Sequence, residues 1–371
     1  MLKIFLYSLC SAVFLGIFSV QARVNVAVVA PRVGDLKVFG DELVNGVQIA
    51  VDDINAQGGI EGESVSLLVV DDQCKDTFAI STAQMMAVNA SREKINLVIG
   101  PYCDNAFDKV ADIYARANIF QIVPTSIGKN SNARHYEGLV KMVAPVDKQG
   151  EDFFNYYEAN FNGKRVALAY DASVREVVEI AAAVQNEFRH HGQAERLMSY
   201  NIDMYRDSLS KMARRVGKDD NDGVYILGTS NDISKLSREL KDEKEDLTLF
   251  TNRYQARQSY REMLGDLVEG TYMVALPSLK NSPDFTETLV RLRLQGAEPE
   301  GLGVYGYSAI KLWRDLVDKA DSFKYEDLVA TLNNNTFVTP WGETMFTNGT
   351  PEKQLNYGIY KFQDGEYTQV Y

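Results

Sequence analysis

Histidine and cysteine are scarce, with three of each in 371 residues. Metal centres and nucleophilic sites draw heavily on both types, so the shortage narrows the chemistry at once. The histidines are His135, His190 and His191. The last two are neighbours, which point in different directions on a helix, and no metal site is expected from the three. A Gly-x-Ser-x-Gly nucleophile elbow and a phosphate-binding loop ending in Gly-Lys-Ser/Thr are both missing, which argues against a hydrolase or nucleotidase of the usual α/β kinds. The expectation is a protein that is not an enzyme and carries no cofactor. Positive charge is also in deficit, 39 Lys and Arg against 51 Asp and Glu, for a formal net charge of −12. So acidic a surface repels nucleic acid phosphates and anionic headgroups alike, and nucleic acid is not expected as a partner.

Long apolar runs are missing everywhere except at the start. Met1, Leu2 and Lys3 precede an apolar stretch from Ile4 to Val20 that closes on Val20-Gln21-Ala22. A basic start, an apolar middle and a small-residue end describe a secretory signal peptide over residues 1–22. The alternative is a membrane anchor, but the stretch contains Ser8, Ser11 and Ser19 and falls short of the ~20 apolar residues that a spanning helix uses. Cleavage would leave about 350 residues, room for two domains at roughly 100–200 residues each. Cys10 would leave with the leader. Cys74 and Cys103 remain, and an isolated pair in an exported chain is expected to bond; two buried free thiols are the alternative. A bond would close a loop of about 30 residues, worth roughly 3 kcal/mol in the chain-entropy picture.

From Arg23 onward, short β-branched runs alternate with amphipathic stretches, the rhythm of parallel α/β layers. Val24 to Ala30, Val65 to Val70, Leu97 to Ile99 and Ile119 to Val123 read as buried strands. Between the first two, Leu43, Val47, Ala50, Val51 and Ile54 share one helical face, and Gly58 or Gly59 supplies a left-handed stop. After Pro145, where Asp147 is expected to cap a helix, a second α/β unit begins. Its strands are expected at Val166 to Tyr170, Val224 to Leu227, Leu247 to Thr251 and Thr271 to Leu276, with helices at Val174 to Phe188 and Ile233 to Leu240. Lys241 to Asp246 mixes both signs and reads as an exposed helix end. Further helices are expected at Asp284 to Gln295 and Ser308 to Ala320. Near the C-terminus, aromatic and polar residues alternate around Asn348-Gly349 and Asp364-Gly365, as in hairpins. Gly301, Gly303 and Gly306 have the dinucleotide-fingerprint spacing, but they follow a loop instead of a strand, and the expected reading is a flexible start to a helix.

The segment GVQIAVDDINAQGGIEG (Gly46 to Gly62), the strand ending Asp71-Asp72-Gln73-Cys74, Val98-Ile99-Gly100-Pro101-Tyr102-Cys103 and Gln121-Ile122-Val123-Pro124 together resemble the leucine/isoleucine/valine-binding protein family. The likeness is most specific from Val24 to Thr125. It implies an α/β, type I periplasmic binding protein fold of two Rossmann-like lobes joined by three crossovers, near Val143, Val274 and Thr336. Residues 23–143 plus 275–335 would form one lobe, and 144–274 plus 336–371 the other. It also implies a periplasmic, monomeric receptor that captures a small solute, an amino acid or related organic anion, and delivers it to an inner-membrane ABC permease. An extracellular sensor or signalling module of the same fold is the alternative.

Transferred residue by residue, the resemblance places Phe39 and Tyr102 on the apolar wall of the ligand pocket. Asp104, with Asn105 beside it, stands where the family has a carboxylate-binding serine. The threonine position falls on Ile127, with Thr125 and Ser126 nearby. In the second lobe, aromatic positions fall on Arg175 and Thr229, and the ammonium-binding acid on Tyr254, preceded by Arg253. Asp104 reads equally as a cap on the helix running to Ala117, and both arginines read equally as surface residues beside the cleft. A ligand carboxylate in the usual pocket would meet Asp104, and like charges ~4 Å apart at an effective dielectric of ~20 repel by about 4 kcal/mol. The expectation is therefore a solute other than a simple aliphatic amino acid in the family's usual orientation.

Overall fold

The computed structural model describes residues 23–371 except 35, 90–94, 106, 126, 129–134, 254–257, 280–284, 296–300 and 354–355. The expected signal peptide, Ser126 and Tyr254 lie outside the described residues. Among those described, no helix is long and apolar enough to cross a membrane, and no cluster of His, Cys, Asp or Glu has the makings of a metal site.

The first lobe is built on five parallel strands, β1 (Arg23–Val29), β2 (Ser64–Val70), β3 (Ile95–Ile99), β4 (Phe120–Val123) and β5 (Leu139–Lys141), in the order β2-β1-β3-β4-β5. Val26, Val28, Leu97, Ile99 and Ile122 are fully buried, as a parallel sheet covered on both faces requires. Helices α1 (Lys37–Ala56), α2 (Asp76–Asn89) and α3 (Phe107–Arg116) connect the strands. At the end of α1 the Asn55 side chain exchanges two 2.8 Å hydrogen bonds with the Val65 backbone, pinning the helix to β2.

The second lobe begins with α4 (Lys148–Asn160). Its sheet holds β6 (Val166–Tyr170), β7 (Leu197–Asn201), β8 (Gly223–Leu227), β9 (Thr248–Asn252) and β10 (Tyr272–Ala275), all parallel, and two antiparallel strands added late, β14 (Gly358–Gln363) and β15 (Glu366–Gln369). Helices α5 (Arg175–His190), α6 (Leu209–Lys218), α7 (Ser230–Glu243) and α8 (Gln258–Leu264) connect the parallel strands. An aromatic core fills the lobe: Phe153 stacks on Tyr225 at 4.3 Å and Phe250 on Tyr272 at 4.8 Å between ring centroids. Asp147 does occupy the N-cap of α4, but with helical backbone angles, and its side chain makes no capping bond.

From β10 the chain returns to the first lobe as α9 (Thr286–Leu294), α10 (Gly303–Ala320) and α11 (Tyr325–Asn334). Helix α10 starts five residues before the expected Ser308, so Gly303 and Gly306 lie inside it and are no flexible approach. They are what lets α10 lie against α1. A Cβ on Gly46 would fall 1.8 Å from the Gly303 carbonyl oxygen, and one on Gly306 would fall 2.6 Å from that of Leu43. Glu42 reaches over and accepts the Leu302 N–H at 3.1 Å.

The expectation for residues 336–371 also needs correction. Strands β11 (Thr336–Thr339), β12 (Gly342–Thr347) and β13 (Thr350–Pro351) form a separate antiparallel sheet. Burial alternates along β11 and β12, with Phe337 and Phe346 turned in among residues of α10 and α11. The Gly349 carbonyl accepts the Lys141 N–H of β5 at 2.8 Å. Only β14 and β15 join the second sheet, so the last passage between lobes follows β13 instead of falling near Thr336.

Candidate functional site

In each sheet the strand order reverses once, between β1 and β3 in the first lobe and between β6 and β8 in the second. The connections leaving the C-terminal ends of such strands diverge and leave a crevice, where open α/β sheets bind their ligands. The residues of interest lie on those connections. Phe39 is in the first turn of α1, which follows β1. Tyr102 follows β3, held there by a 3.1 Å bond from its N–H to the Val29 carbonyl. Gly100, at φ +107°, allows this approach, because a Cβ there would sit 2.4 Å from the same carbonyl oxygen.

Phe39 and Tyr102 lie parallel, with centroids 6.2 Å apart and planes 6° apart. Against both rings rests Arg253, which follows β9 in the other lobe, its guanidinium 4.9 Å from the Phe39 centroid and 5.2 Å from that of Tyr102. Arg253 also donates to the Tyr102 hydroxyl. A guanidinium over aromatic faces is held by the ring quadrupole as well as by dispersion. The two lobes thus meet through three residues that the resemblance named.

Among the described residues, the Asp104 side chain accepts the Gly128 N–H at 2.9 Å, bridging the connections after β3 and β4, while its backbone carbonyl accepts the Phe107 N–H at the start of α3 at 3.0 Å. Desolvation pushes its carboxyl above the usual range, with the Arg175 charge and the Gly128 N–H opposing the rise. Arg175, half exposed, pairs with Glu179 at 3.1 Å one turn along α5. Thr125 donates its hydroxyl to the Tyr102 carbonyl at 3.3 Å. Thr229 stands at the N-cap of α7 with its hydroxyl 3.2 Å from Asp232. Asn105 faces elsewhere: its amide donates to the Cys74 carbonyl at 2.9 Å and to Asp76 at 2.6 Å. That ties down the loop closed by the Cys74–Cys103 disulfide, whose Cα atoms are 5.4 Å apart.

Beside Arg253 lies a small cavity lined by Gln149, Glu176, Asn252, Arg253, Val274, Ala275, Leu276 and Tyr357. Sequence reasoning missed most of this wall. Glu176 and Glu179, three residues apart and so on one face of α5, look in the sequence like the solvated side of an amphipathic helix. Burial raises both carboxyls above the ordinary range, as does repulsion from Asp104; Arg253 opposes the rise at Glu176, and Arg175 at Glu179.

The sequence model of the periplasmic binding protein family matches residues 23–366. The chain belongs to that family. Among its relatives, the Leu/Ile/Val-binding protein BraC3 of Rhizobium johnstonii is 24% identical over 350 residues, 93% of each chain. The Leu/Ile/Val-binding protein of Escherichia coli K12 is 22% identical over 95% of this chain and 94% of its own. Among solved structures, the leucine-binding protein LivK of Thermotoga maritima superposes with a TM-score of 0.78 at 20% identity, covering 94% of this chain and 98% of its own. A solute-binding protein of an ABC transporter from R. palustris, in complex with benzoate, gives 0.76 at 16% identity, covering 94% and 96%. The fold is therefore that of the type I periplasmic binding proteins, and members of the family are substrate-binding proteins, which supports a non-enzymatic reading.

Proposed function

We propose that this chain is the periplasmic solute-binding component of an ABC importer, exported by a cleaved leader and working as a monomer. It captures a small polar solute of the branched-chain amino acid or related class in the cleft between its lobes, and the closed form delivers that solute to a membrane permease. The observation that carries this reading is the contact of Arg253 from one lobe with Phe39 and Tyr102 of the other, next to a cavity whose lining includes residues at the passages between lobes. Gln149 lies just after the first passage, Ala275 and Leu276 at the second, and Tyr357 at the third. The Tyr357 N–H donates to the buried Asp152 at 2.7 Å, and its hydroxyl donates to the Ala144 carbonyl at 3.4 Å. A solute touching these residues bears directly on the hinge, and it shifts the open–closed equilibrium only by binding the closed form better.

The test is calorimetric titration of the mature protein with leucine, isoleucine, valine and benzoate, with small-angle scattering on any combination that binds. The reading expects one site per chain and a smaller radius of gyration in the bound state. A bound state with unchanged scattering at saturation contradicts capture by closure.

A further inference from the structure

Outside the cavity lining, two carboxylates from opposite lobes come to a single residue. Gly128, in the connection after β4, gives its N–H to Asp104 at 2.9 Å. Its bare Cα is approached from the other lobe by Glu179 of α5: a Cβ on Gly128 would fall 2.2 Å from Oε2 of that acid and 2.8 Å from Oε1. Arg175 holds Oε1 at 3.1 Å, while Oε2 is buried with no hydrogen bond among the described residues. The Gly128 loop is anchored beside the first passage between lobes, where the Val146 N–H donates to the Ile127 carbonyl at 2.9 Å. The charges facing this junction are mostly of one sign. Desolvation raises both carboxyls; Asp108 of α3 adds to the rise at Asp104, and Asp104 and Asp147 add to it at Glu179. Arg175 opposes the rise at both, and the Gly128 N–H opposes it at Asp104. Glu176, next on α5, feels Asp104 and Glu179 as like charges and Arg253 as its opposite. Lys148, next to Asp147, is turned to Glu151 and Asp152 at 2.7 and 2.9 Å.

Resting on the proposed function, we infer that Asp104, Gly128 and Glu179 form a proton-operated latch: closing the lobes brings both carboxylates to Gly128, and the closed form is favoured when one of them takes up a proton from solvent. With the lobes apart, each acid is hydrated and faces only the charges of its own lobe. Closure takes water from both and sets them against each other, so the ionised pair costs most in the closed form. With Glu179 neutral, the repulsion across the junction is gone and the Arg175 charge is left to Asp104. A carboxyl whose value is higher in the closed form than in the open one favours closure below the ordinary carboxylate range, and that contribution is lost as pH rises through the higher value. One proton taken up changes the ratio of closed to open forms by at most about tenfold per pH unit. The contact of Arg253 with Phe39 and Tyr102 has no such dependence, because a guanidinium stays charged throughout. Capture should therefore tighten in acid even for a solute that does not itself titrate.

The experiment follows the radius of gyration of the ligand-free chain, residues 23–371, by small-angle scattering from about pH 8 down to about pH 5, the span in which raised carboxyls titrate. The wild type should contract as pH falls. Glu179→Gln and Asp104→Asn remove one charge while keeping the size of the side chain, so both should already be contracted at the alkaline end and should change little on acidification. Glu195→Gln, an exposed acid of the second lobe, should follow the wild type. A wild-type radius that stays constant or grows in acid overturns the inference, and so do Glu179→Gln and Asp104→Asn profiles that match the wild type. Circular dichroism melts at both ends of the range check folding. If one variant fails to fold, the other decides; if both fail, the junction is a structural anchor and the latch is overturned. Solute capture is tested separately, by contraction on adding solute at one fixed pH, and a flat pH profile leaves it standing.

Discussion

Replacing Gly46 by alanine separates two opposed effects on one helix. In isolation a Gly→Ala change inside a helix is worth up to about 1 kcal/mol of added stability. Here the new methyl would lie 1.8 Å from the Gly303 carbonyl oxygen, whereas a tolerable carbon–oxygen contact is about 3.3 Å. Helices α1 and α10 must part by more than an ångström, and the interlocked Leu43, Val47, Ile310 and Leu316 lose part of their packing. Overpacking of this kind costs about 1–3 kcal/mol and occasionally more, so the net change should be a loss of about 2 kcal/mol, a few degrees in melting temperature for a chain of this size. Circular dichroism melts of Gly46→Ala measure it, with the exposed neighbour Asn45→Ala as the control for helix propensity. Phe39 is on the same helix, so solute affinity should fall in parallel. A Gly46→Ala protein that melts at or above the wild type would refute the close-packing argument, since propensity alone would then have decided the outcome.

Replacing both Cys74 and Cys103 by serine should lower the melting temperature while solute binding persists, because the bond closes a segment 29 residues apart in sequence, worth roughly 3 kcal/mol; an unchanged melt would make the staple energetically idle. The stability difference between Glu176→Gln and the wild type should depend on pH. Burial raises the folded-state value of Glu176 above the ordinary glutamate range, so its contribution is intact below that range and is lost as pH rises through the higher folded value. The variant should match the wild type in acid and exceed it at neutral pH, and a gap that widens toward acid would reverse the assigned sign. Arg253→Ala should weaken solute binding at least ~10-fold, about 1.4 kcal/mol, with Arg253→Lys intermediate because an ammonium cannot cover both rings. Equal affinity in all three would remove Arg253 from the site.

Most of the parallel strands and α1 were legible because their signals are local: Val24 to Ala30 is β-branched and buried on both faces, and Leu43 to Ile54 repeats at helical spacing; β5 and β7 were not read. Of the second-lobe helices, α5 and α7 were read to within three residues because their repeats are local too, while the shorter α6 and α8 were not read. What escaped depends on distant partners. Gly303 and Gly306 looked like a loose start to a helix because nothing in their own segment reveals Gly46 and Leu43 against them. The small sheet of β11–β13 looked like part of the second lobe because alternation gives pairing but not which helices the buried face meets. Phe39, Tyr102 and Arg253 were named through the resemblance, and the structure brings them into contact. Glu176 was not, since a carboxylate on an amphipathic helix carries the same pattern whether it faces water or a cavity.

The most direct measurement of solute capture is the mass of the native protein. The chain, purified gently from a bacterial host without added solute, is weighed by native mass spectrometry before and after denaturation, next to Arg253→Ala treated identically. Capture in the cleft predicts one small molecule per wild-type chain, released on denaturation and depleted in Arg253→Ala. A wild-type chain that carries nothing under these conditions, or the same load as Arg253→Ala, would contradict it.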